Sequence, residues 1–540
     1  MFGAIRTKLN KTKDLTNYHT QDNPDNPMKN LIEISKIVTK KRISKIEIFD
    51  KSLLNKRDSK FNEFYEGLVN DRFTTDEEAA SILYETSPLD DKYRQLKSRF
   101  SKRLLNTLFF LDSNDPSFSD YHRANYSCNK NWAQIRILLS SGARSSAIKI
   151  ATKTLSVAQT YRITDMILNC ARILMSNASL SGDDNEYDYY ADLTHKALRD
   201  MGFEIRSEEL YQQLSINFAA AGYSDPELKA LADKSLDEVN KLIKQTDSYQ
   251  LHYMRYQIWI IGTQIKGQFK ETIRVCEEAE NYLESNPNFN QKIKLANLAL
   301  IKISAYLQLR DYDNGKRNAE KCLELVQEGS NNWFVFLEYY FLLAMHTENY
   351  INAAAIFIKV INHPRFMYTG DERKEKWKIF EAYINYIFET ENLDRDLLAT
   401  DATKRKFRLL KFLNEVPNFS KDKRGYNVSI LVIQILYMLE KGEYSGIINR
   451  SEALNVYCSR YLRKDDVYRS SCFLKMLLTM VKEDFVFDRT KQMAQKYLRK
   501  MMAGDPSGNN IVNEWEIIPY EILWEKVLNR LKNKTVAKQV

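Results

Sequence analysis

The sequence contains few of the residues that interrupt regular secondary structure. Glycine and proline account for only 16 and 10 of its 540 residues. A β-rich chain of this length would need many turns, and turns rely heavily on these two residue types. Residues that favour helices, namely Lys, Glu, Leu, Ile and Ala, are abundant instead. The composition therefore predicts a chain built from long helices.

Cysteine motifs and long apolar runs are also absent. None of the six cysteines belongs to a Cys-x-x-Cys pair or is closely followed by histidine, so neither a disulfide framework nor a zinc site is expected. The longest apolar runs, residues 333–345 and 430–439, are shorter than the roughly 18 residues that a membrane span requires. The polar and basic first 27 residues lack the apolar core of a secretory signal. We expect a cytoplasmic protein with reduced, buried cysteines.

The sequence shows no pattern typical of catalysis. Its six histidines are scattered and form no His-Glu-x-x-His pair. Residues 503–510, "AGDPSGNN", lack the Gly-Lys-Ser/Thr ending of a phosphate-binding loop. The acidic residues 181–190, "SGDDNEYDYY", lack the glycine-centred spacing of a calcium loop. We therefore expect no enzyme activity, no metal and no cofactor.

A charged corner recurs along the chain. In residues 305–315, "AYLQLRDYDNG", a run of helix-forming residues is interrupted at Asp311 and Tyr312. With Tyr312 as the marker, similar corners recur at irregular intervals along the chain. Several of these intervals are roughly 38 to 51 residues long. The corresponding markers are Arg144, Tyr187, Ser224, Phe269, Tyr350, Leu393 and Tyr444. Such spacing favours a repeated pair of antiparallel helices.

Small residues recur at fixed distances after these markers. They lie three, seven and ten residues beyond the marker, and these offsets share one face of a helix. The residues are Ala147, Thr272, Gly315, Ala353, Ala151, Cys276, Ala319, Thr154, Ala197, Ala279 and Cys322. Because small side chains allow two helices to approach closely, we expect this face to pack against a neighbouring helix.

Residues 297–326, "NLALIKISAYLQLRDYDNGKRNAEKCLELV", resemble a tetratricopeptide repeat. The residues that carry the resemblance are Ala305, Tyr306, Asp311, Tyr312, Gly315, Ala319, Cys322 and Leu323. Elsewhere the match is weaker, because the family repeat is about 34 residues long and the steps here are longer. The resemblance implies an all-α fold, a right-handed superhelical array of antiparallel helix pairs. It also implies that the concave face of the array binds a peptide or protein segment.

We divide the chain into five segments. They are a flexible basic tail (1–29), a helical N-terminal module (30–115), the tetratricopeptide-like array (120–460), C-terminal capping helices (461–532) and a flexible tail (533–540). In the N-terminal module, Thr75 and Glu78 have the spacing of a capping box. In the capping helices, Trp515 and Trp524 are expected to cover the open end of the array. The regular pattern begins at Met28, which leaves an internal start site open.

Aromatic residues recur at helical spacing in residues 249–260, "YQLHYMRYQIWI". Such rings are good anchors for a peptide in the groove of an array, although ordinary packing between helices is the alternative. The groove positions that we would test first are Tyr253, Tyr256, Trp259, Tyr306 and Arg310.

Two clusters of basic residues are present. Six cations lie on the predicted helix over residues 92–103, and a second set lies in residues 403–412, "TKRKFRLLKF". The residues are Lys92, Arg94, Lys97, Arg99, Lys102, Arg103, Lys404, Arg405, Lys406 and Arg408. Cations grouped in this way favour contact with phosphates, and a solvated helix face is the alternative. The second cluster is equally compatible with an acidic peptide, and no known nucleic-acid motif accompanies either cluster.

These features predict a non-enzymatic scaffold or adaptor that binds a peptide or protein segment in the concave groove of its array. The alternative is a regulatory protein whose basic N-terminal module contacts nucleic acid or an effector partner while the array senses a peptide. That layout is similar to the layout of peptide-responsive bacterial regulators.

Overall fold

A computed structural model shows an all-α protein. It describes residues 31, 35, 60–69, 72–73, 75–110, 119–221, 225–289, 291–394, 425–451, 468–504 and 511–537. Over these residues the regular elements are helices and no strand occurs, which confirms the predicted all-α class. The chain divides into two compact units, and the boundary between them follows Gly202.

In the first unit, three helices surround a small aromatic core. They are α1 (Lys60–Val69), α2 (Asp76–Tyr84) and α3 (Asp91–Thr107), with a 3-10 turn at Leu108–Phe110. The Thr75 side chain accepts a hydrogen bond from the Glu78 backbone N–H at 3.3 Å, and the Thr75 N–H donates to the Glu78 carboxylate at 3.4 Å. The predicted capping box is therefore confirmed, and it begins α2. Phe64, Tyr93 and Phe100 are fully buried between the three helices.

Further helices follow in the first unit. They are α4 (Asp120–Ser140), α5 (Arg144–Thr160), α6 (Thr164–Ser181) and α7 (Asp184–Ala221), the last of which contains the unit boundary. Helix α5 packs against both α4 and α6, and α4 also contacts α6. The buried small residues Ala147 and Ala151 of α5 lie in the core between these helices. Contact between alternate helices is what stacked helix pairs produce.

The second unit continues the same pattern. Its helices are α8 (Pro226–Leu242), α9 (Tyr249–Ile265), α10 (Phe269–Glu284), α11 (Lys292–Leu309), α12 (Tyr312–Leu325), α13 (Asn331–His346), α14 (Tyr350–Ile361), α15 (Asp371–Thr390), α16 (Tyr426–Lys441), α17 (Tyr468–Lys482), α18 (Phe487–Ala503) and α19 (Tyr520–Ala537). Residues 444–451 are also helical. Each helix from α8 to α15 packs against the next, and α11 also contacts α13.

The predicted corners coincide with the starts of helices. Arg144, Phe269, Tyr312 and Tyr350 are the first residues of α5, α10, α12 and α14, and Tyr444 begins the helical residues 444–451. Two residues before each of these five markers, the backbone adopts a positive φ. The residues concerned are Gly142, Gly267, Arg310, Glu348 and Gly442. The same backbone geometry at five corners confirms a repeated helix pair.

The remaining markers are less regular. Tyr187 lies in the first turn of α7, and Leu393 lies in the loop that follows α15. Ser224 lies outside the described residues.

Gly315 marks a close approach between helices. A Cβ atom at this position would overlap the δ-methyl group of Leu343 on α13 and would lie 3.2 Å from the Cβ of Tyr306 on α11. Further along α12, Ala319 and Cys322 are buried in the main core of the second unit. The prediction that small residues follow the corner because a helix packs there is confirmed.

The buried cysteines agree with the sequence prediction. Five of the six lie within the described residues, and all five are buried free thiols, whereas Cys458 lies outside these residues. Burial raises the pKa of the Cys170 and Cys276 thiols. Within the described part of the chain, no helix combines the length and the apolar character that crossing a membrane requires.

The C-terminal end of the chain differs from the prediction in one respect. Helix α19 extends to Ala537, so residues 533–537 are helical where the sequence predicts a flexible tail. Its buried side chains Leu523, Trp524 and Val527 belong to the main core, and the helix packs against α16, α17 and α18. An irregular segment, residues 511–519, precedes it. The predicted boundaries near residues 29, 115 and 460 fall at residues outside the described ranges.

Candidate functional site

The predicted groove residue Tyr253 belongs to the core between helices. It lies on α9 and is only 8% exposed. Its ring packs against Phe289, with 6.2 Å between the ring centroids, and the Lys294 ammonium lies 4.6 Å from the Tyr253 centroid. Burial raises the pKa of the Tyr253 hydroxyl and lowers the pKa of Lys294 to about 7. Interhelical packing, the alternative that the sequence left open, therefore describes Tyr253.

Tyr256 and Trp259 are half-buried, and guanidinium groups flank them. The Trp259 ring lies 5.0 Å from the Arg255 guanidinium and 5.1 Å from the Arg274 guanidinium. Arg255 also lies 5.3 Å from the Tyr256 ring, which contacts Tyr282 at 5.7 Å between centroids. We call Arg255, Tyr256, Trp259 and Arg274 the aromatic–arginine surface.

Hydrogen bonds orient both guanidinium groups of this surface. Arg274 Nε donates to Glu271 at 2.8 Å, and the same guanidinium pairs with Glu278 on the next turn of α10. Arg255 Nε donates to the side-chain oxygen of Asn240 on α8 at 2.8 Å. A cation placed over an aromatic face is attracted by the negative electrostatic potential of the ring. The indole of Trp259 is therefore held in place before any partner arrives.

A cleft of about 650 Å³ adjoins the aromatic–arginine surface. Helices α8 to α11 line it, with Leu236, Trp259, Gly262, Phe269, Lys270 and Leu309 among the lining residues. Its volume falls within the range of clefts that accept small ligands or the side chains of a partner. Because Trp259 lines the cleft, the cleft and the aromatic–arginine surface form one candidate site.

The other two predicted groove residues lie at the C-terminal end of α11. Tyr306 is half-buried, and this burial raises the pKa of its hydroxyl. Arg310 follows the helix with a positive φ of 54°, and its guanidinium pairs with Glu521 of α19. Arg310 therefore contacts the C-terminal region of its own chain in this conformation.

Side chains from separate helices bind the main chain of the irregular segment before α19. The Gln308 amide of α11 donates to the Val512 carbonyl oxygen at 2.8 Å and accepts from the Val512 N–H at 2.9 Å. Ser429 Oγ of α16 donates to the Trp515 carbonyl oxygen at 2.5 Å. These bonds recognise peptide groups and place no requirement on the side chains of residues 512 and 515.

A buried histidine makes a similar contact. His346 Nε2, at the C-terminal end of α13, contacts the Glu516 carbonyl oxygen. A carbonyl oxygen can only accept, so the imidazole is the donor. Burial lowers the pKa of His346 to about 4, which keeps the ring neutral at physiological pH.

The carboxylate of Glu516 forms a deeply buried ion pair. Arg469 of α17 donates to it at 2.9 Å through Nε and at 2.5 Å through Nη2, and the two side chains are only 4% and 1% exposed. The N–H of Tyr520, the first residue of α19, also donates to Glu516 at 3.1 Å. Arg469 contacts Glu521 at 2.6 Å. Burial by itself would raise the pKa of Glu521, but the charges of Arg469 and Arg310 outweigh it and lower this pKa to about 2.

A second buried charge cluster lies beside Glu514. Glu338 of α13 pairs with Arg373 at 2.9 Å and with Lys376 at 2.8 Å, both on α15. Lys376 lies 3.6 Å from Glu514, which also accepts a hydrogen bond from the Tyr339 hydroxyl. Burial would raise the pKa of Glu338, but the two cations outweigh it and lower this pKa. The cluster is therefore charged, and Glu514 interacts with its cationic side.

We call residues 511–516 the arm, and the side chains that bind it the cradle. The cradle consists of Gln308, Tyr339, His346, Lys376, Ser429 and Arg469. They come from α11, α13, α15, α16 and α17. Sequence reasoning missed the cradle because its members lie far from the arm in sequence, with Gln308 and Val512 204 positions apart. The signal that was available is the acid–aromatic–acid order of Glu514, Trp515 and Glu516.

The basic helix predicted over residues 92–103 corresponds to α3 and is partly engaged within the first unit. Lys97 pairs with Asp76 of α2 at 2.7 Å, and the Arg103 guanidinium lies 5.5 Å from the Phe61 ring. The remaining cations of this cluster are exposed, namely Lys92, Arg94, Arg99 and Lys102. The second cluster, Lys404, Arg405, Lys406 and Arg408, lies outside the described residues.

The described residues contain no group of three His, Cys, Asp or Glu side chains placed to bind a metal. No protein-family model matches the chain, and no curated protein or solved structure is significantly similar to it.

Proposed function

We propose that this protein is a non-enzymatic, cytoplasmic interaction scaffold or adaptor whose tetratricopeptide-like array binds a peptide or protein segment. The observation that carries the proposal is the position of Trp259, half-buried between two guanidinium groups at the edge of a cleft. Tryptophan, tyrosine and arginine contribute most of the binding energy at protein interfaces. Stacked helix pairs present such residues along an extended surface.

The aromatic–arginine surface is suited to binding because its side chains are ordered in advance. Trp259 loses little rotational freedom when a partner covers it, since Arg255 and Arg274 already contact its ring. The adjacent cleft offers a depression for an apolar side chain of the partner, with Leu236 and Phe269 among its walls. Binding here would add to the contacts of the array without rearranging its helices.

Affinity capture with the full-length protein tests this proposal. Tagged wild type, the double variant Tyr256→Ala/Trp259→Ala and a control double variant would be incubated with extract of the native cells, and bound proteins quantified by mass spectrometry. The control, Tyr187→Ala/Tyr189→Ala, removes two exposed tyrosines of α7, which are 40% and 55% exposed. Circular dichroism would verify that all three proteins are folded.

We expect a defined partner that wild type and the control capture equally. The Tyr256→Ala/Trp259→Ala variant should capture it at least about tenfold less, because loss of an aromatic hot spot typically costs about 2 kcal/mol or more of binding free energy. Equal capture by all three proteins, or no partner enriched by the wild type, would refute the assignment of this surface.

A further inference from the structure

The cradle binds the arm chiefly through groups that any extended acidic segment carries. Main-chain groups of three arm residues, 512, 515 and 516, contact Gln308, Ser429 and His346. Two carboxylates, those of Glu514 and Glu516, contact the cations of the cradle. Recognition of main-chain groups together with spaced carboxylates is typical of a peptide-binding site.

Stability alone does not explain the polar contacts of the arm. A buried ion pair such as Arg469–Glu516 loses much of its Coulombic gain to desolvation, and buried ion pairs are therefore weak contributors to net stability. The neighbouring residues Ile517 and Ile518 are fully buried and supply apolar anchoring. The carboxylates of the arm therefore contribute selectivity for acidic side chains more than net stability.

The geometry points to the cradle as a binding site for extended acidic segments of partner proteins, with the order acid–aromatic–acid, and to the arm as its intramolecular occupant. This inference rests on the proposed scaffold function, because it names the chemistry of a partner segment. The cradle is a second site, because it shares no residue with the aromatic–arginine surface. A partner segment of matching charge would displace the arm from the cradle.

Departure of the arm would leave no buried cation without a partner. Arg469 would keep Glu521 at 2.6 Å, and Lys376 would keep Glu338 at 2.8 Å. Helix α19 would keep its own apolar anchors, because Leu523 and Trp524 are buried in the main core. Exchange of the arm therefore avoids the large cost of an uncompensated buried charge.

Peptide binding to the full-length chain tests the inference. The probe is a fluorescently labelled synthetic peptide of residues 511–516, "IVNEWE", which is the arm itself, and fluorescence anisotropy measures its binding. In the wild type the arm competes at an effective concentration in the millimolar range, so the peptide should bind weakly. The variant Glu514→Lys places a cation opposite Lys376 and so weakens the binding of the arm to the cradle. We expect it to bind the peptide at least about tenfold more tightly than the wild type does.

Three controls make the result specific. Adding Gln308→Ala to the Glu514→Lys protein should abolish the gain, because the peptide then loses its bonds at Val512. A peptide with Glu514→Lys and a peptide of scrambled sequence should both bind weakly. If the Glu514→Lys protein does not fold, Glu514→Gln removes the charge of the arm at nearly unchanged size and serves in its place.

Several outcomes would overturn the inference. They are equal affinity of a folded variant and the wild type, equal binding of the scrambled peptide, and binding that survives Gln308→Ala. The capture experiment on the aromatic–arginine surface is separate, since it alters Tyr256 and Trp259 and leaves the cradle intact. If the capture experiment succeeds and the peptide does not exchange with the arm, only the proposed peptide binding at the cradle is refuted. If the peptide exchanges and the capture experiment fails, only the proposed partner binding at the aromatic–arginine surface is refuted.

Discussion

Replacing Arg469 should destabilise the second unit by several kilocalories per mole. Arg469→Met keeps an apolar stem of similar length but removes the charge that faces Glu516, whose side chain is only 1% exposed. The Tyr520 N–H would still donate to this carboxylate, but no cation would remain beside it. Breaking a buried pair by removing one partner costs about 3–5 kcal/mol, because an uncompensated charge stays in the core.

Replacing both members of the pair should cost much less. In Arg469→Met/Glu516→Leu no charge of the pair is buried, and Glu521 keeps Arg310 as a partner. The Tyr520 N–H loses its acceptor, which costs about 1–3 kcal/mol and is partly offset by the added apolar contact. We therefore expect the double variant to be more stable than Arg469→Met by about 2 kcal/mol or more.

Urea unfolding at neutral pH would measure both effects. Far-UV circular dichroism follows the loss of helix, and hydrogen exchange at residues 511–537 localises the change to the C-terminal part of the second unit. Arg274→Met is the matched surface control. Arg274 is 49% exposed and pairs with Glu271 at the surface, so its loss should destabilise the protein far less than the loss of Arg469.

Two outcomes would refute this reasoning. If Arg469→Met lowered the free energy of unfolding no more than Arg274→Met does, the Arg469–Glu516 pair would not be buried as the structure shows. If the single and double variants were equally destabilised, the loss would come from packing of the arginine stem and not from an uncompensated carboxylate.

Two further predictions concern packing and pH. Gly315→Ala should destabilise the protein by about 1–3 kcal/mol, since the new Cβ overlaps Leu343. The control Gly202→Ala has no atom within 4 Å of the new Cβ and should raise stability by about 0.5–1 kcal/mol. Thermal unfolding that ranked the two variants in the opposite order would contradict the close approach at α12. The lowered pKa of Glu521, about 2 against an ordinary 4.5, means that its stabilisation is complete above pH 4.5 and is lost as the pH falls towards 2. At neutral pH, Glu521→Gln should therefore reduce the free energy of unfolding by up to about 3 kcal/mol. Urea titrations should show this difference from the wild type shrinking below pH 4. A difference independent of pH would contradict the pairing of Glu521 with Arg469 and Arg310.

Local sequence was sufficient for much of the fold. The corner at Asp311 and Tyr312 was predictable because a helix start depends on neighbouring residues, and the Asp311 side chain does accept a hydrogen bond from the Asn314 N–H at 3.2 Å. The burial of Ala319 and Cys322 was predictable because small residues at helical spacing mark a packed face.

The candidate sites were only partly predictable. Trp259 was identified from the spacing of aromatic residues, but that spacing could not separate it from Tyr253, which is core. The two residues differ in the side chains that lie beside them. Phe289 and Lys294 cover Tyr253, whereas Arg255 and Arg274 flank a half-buried Trp259.

The sequence by itself determined that this chain is all-α, where its repeated corners lie and which helix faces are small enough to pack closely. Each of these properties depends on residues within one or two helical turns. Only the tertiary structure decided that Arg310 meets Glu521 and that Gln308 binds Val512, because folding brings together residues more than 200 positions apart. Long-range polar pairs of this kind leave no periodic trace in sequence, since each partner is a single charged or amide residue among many.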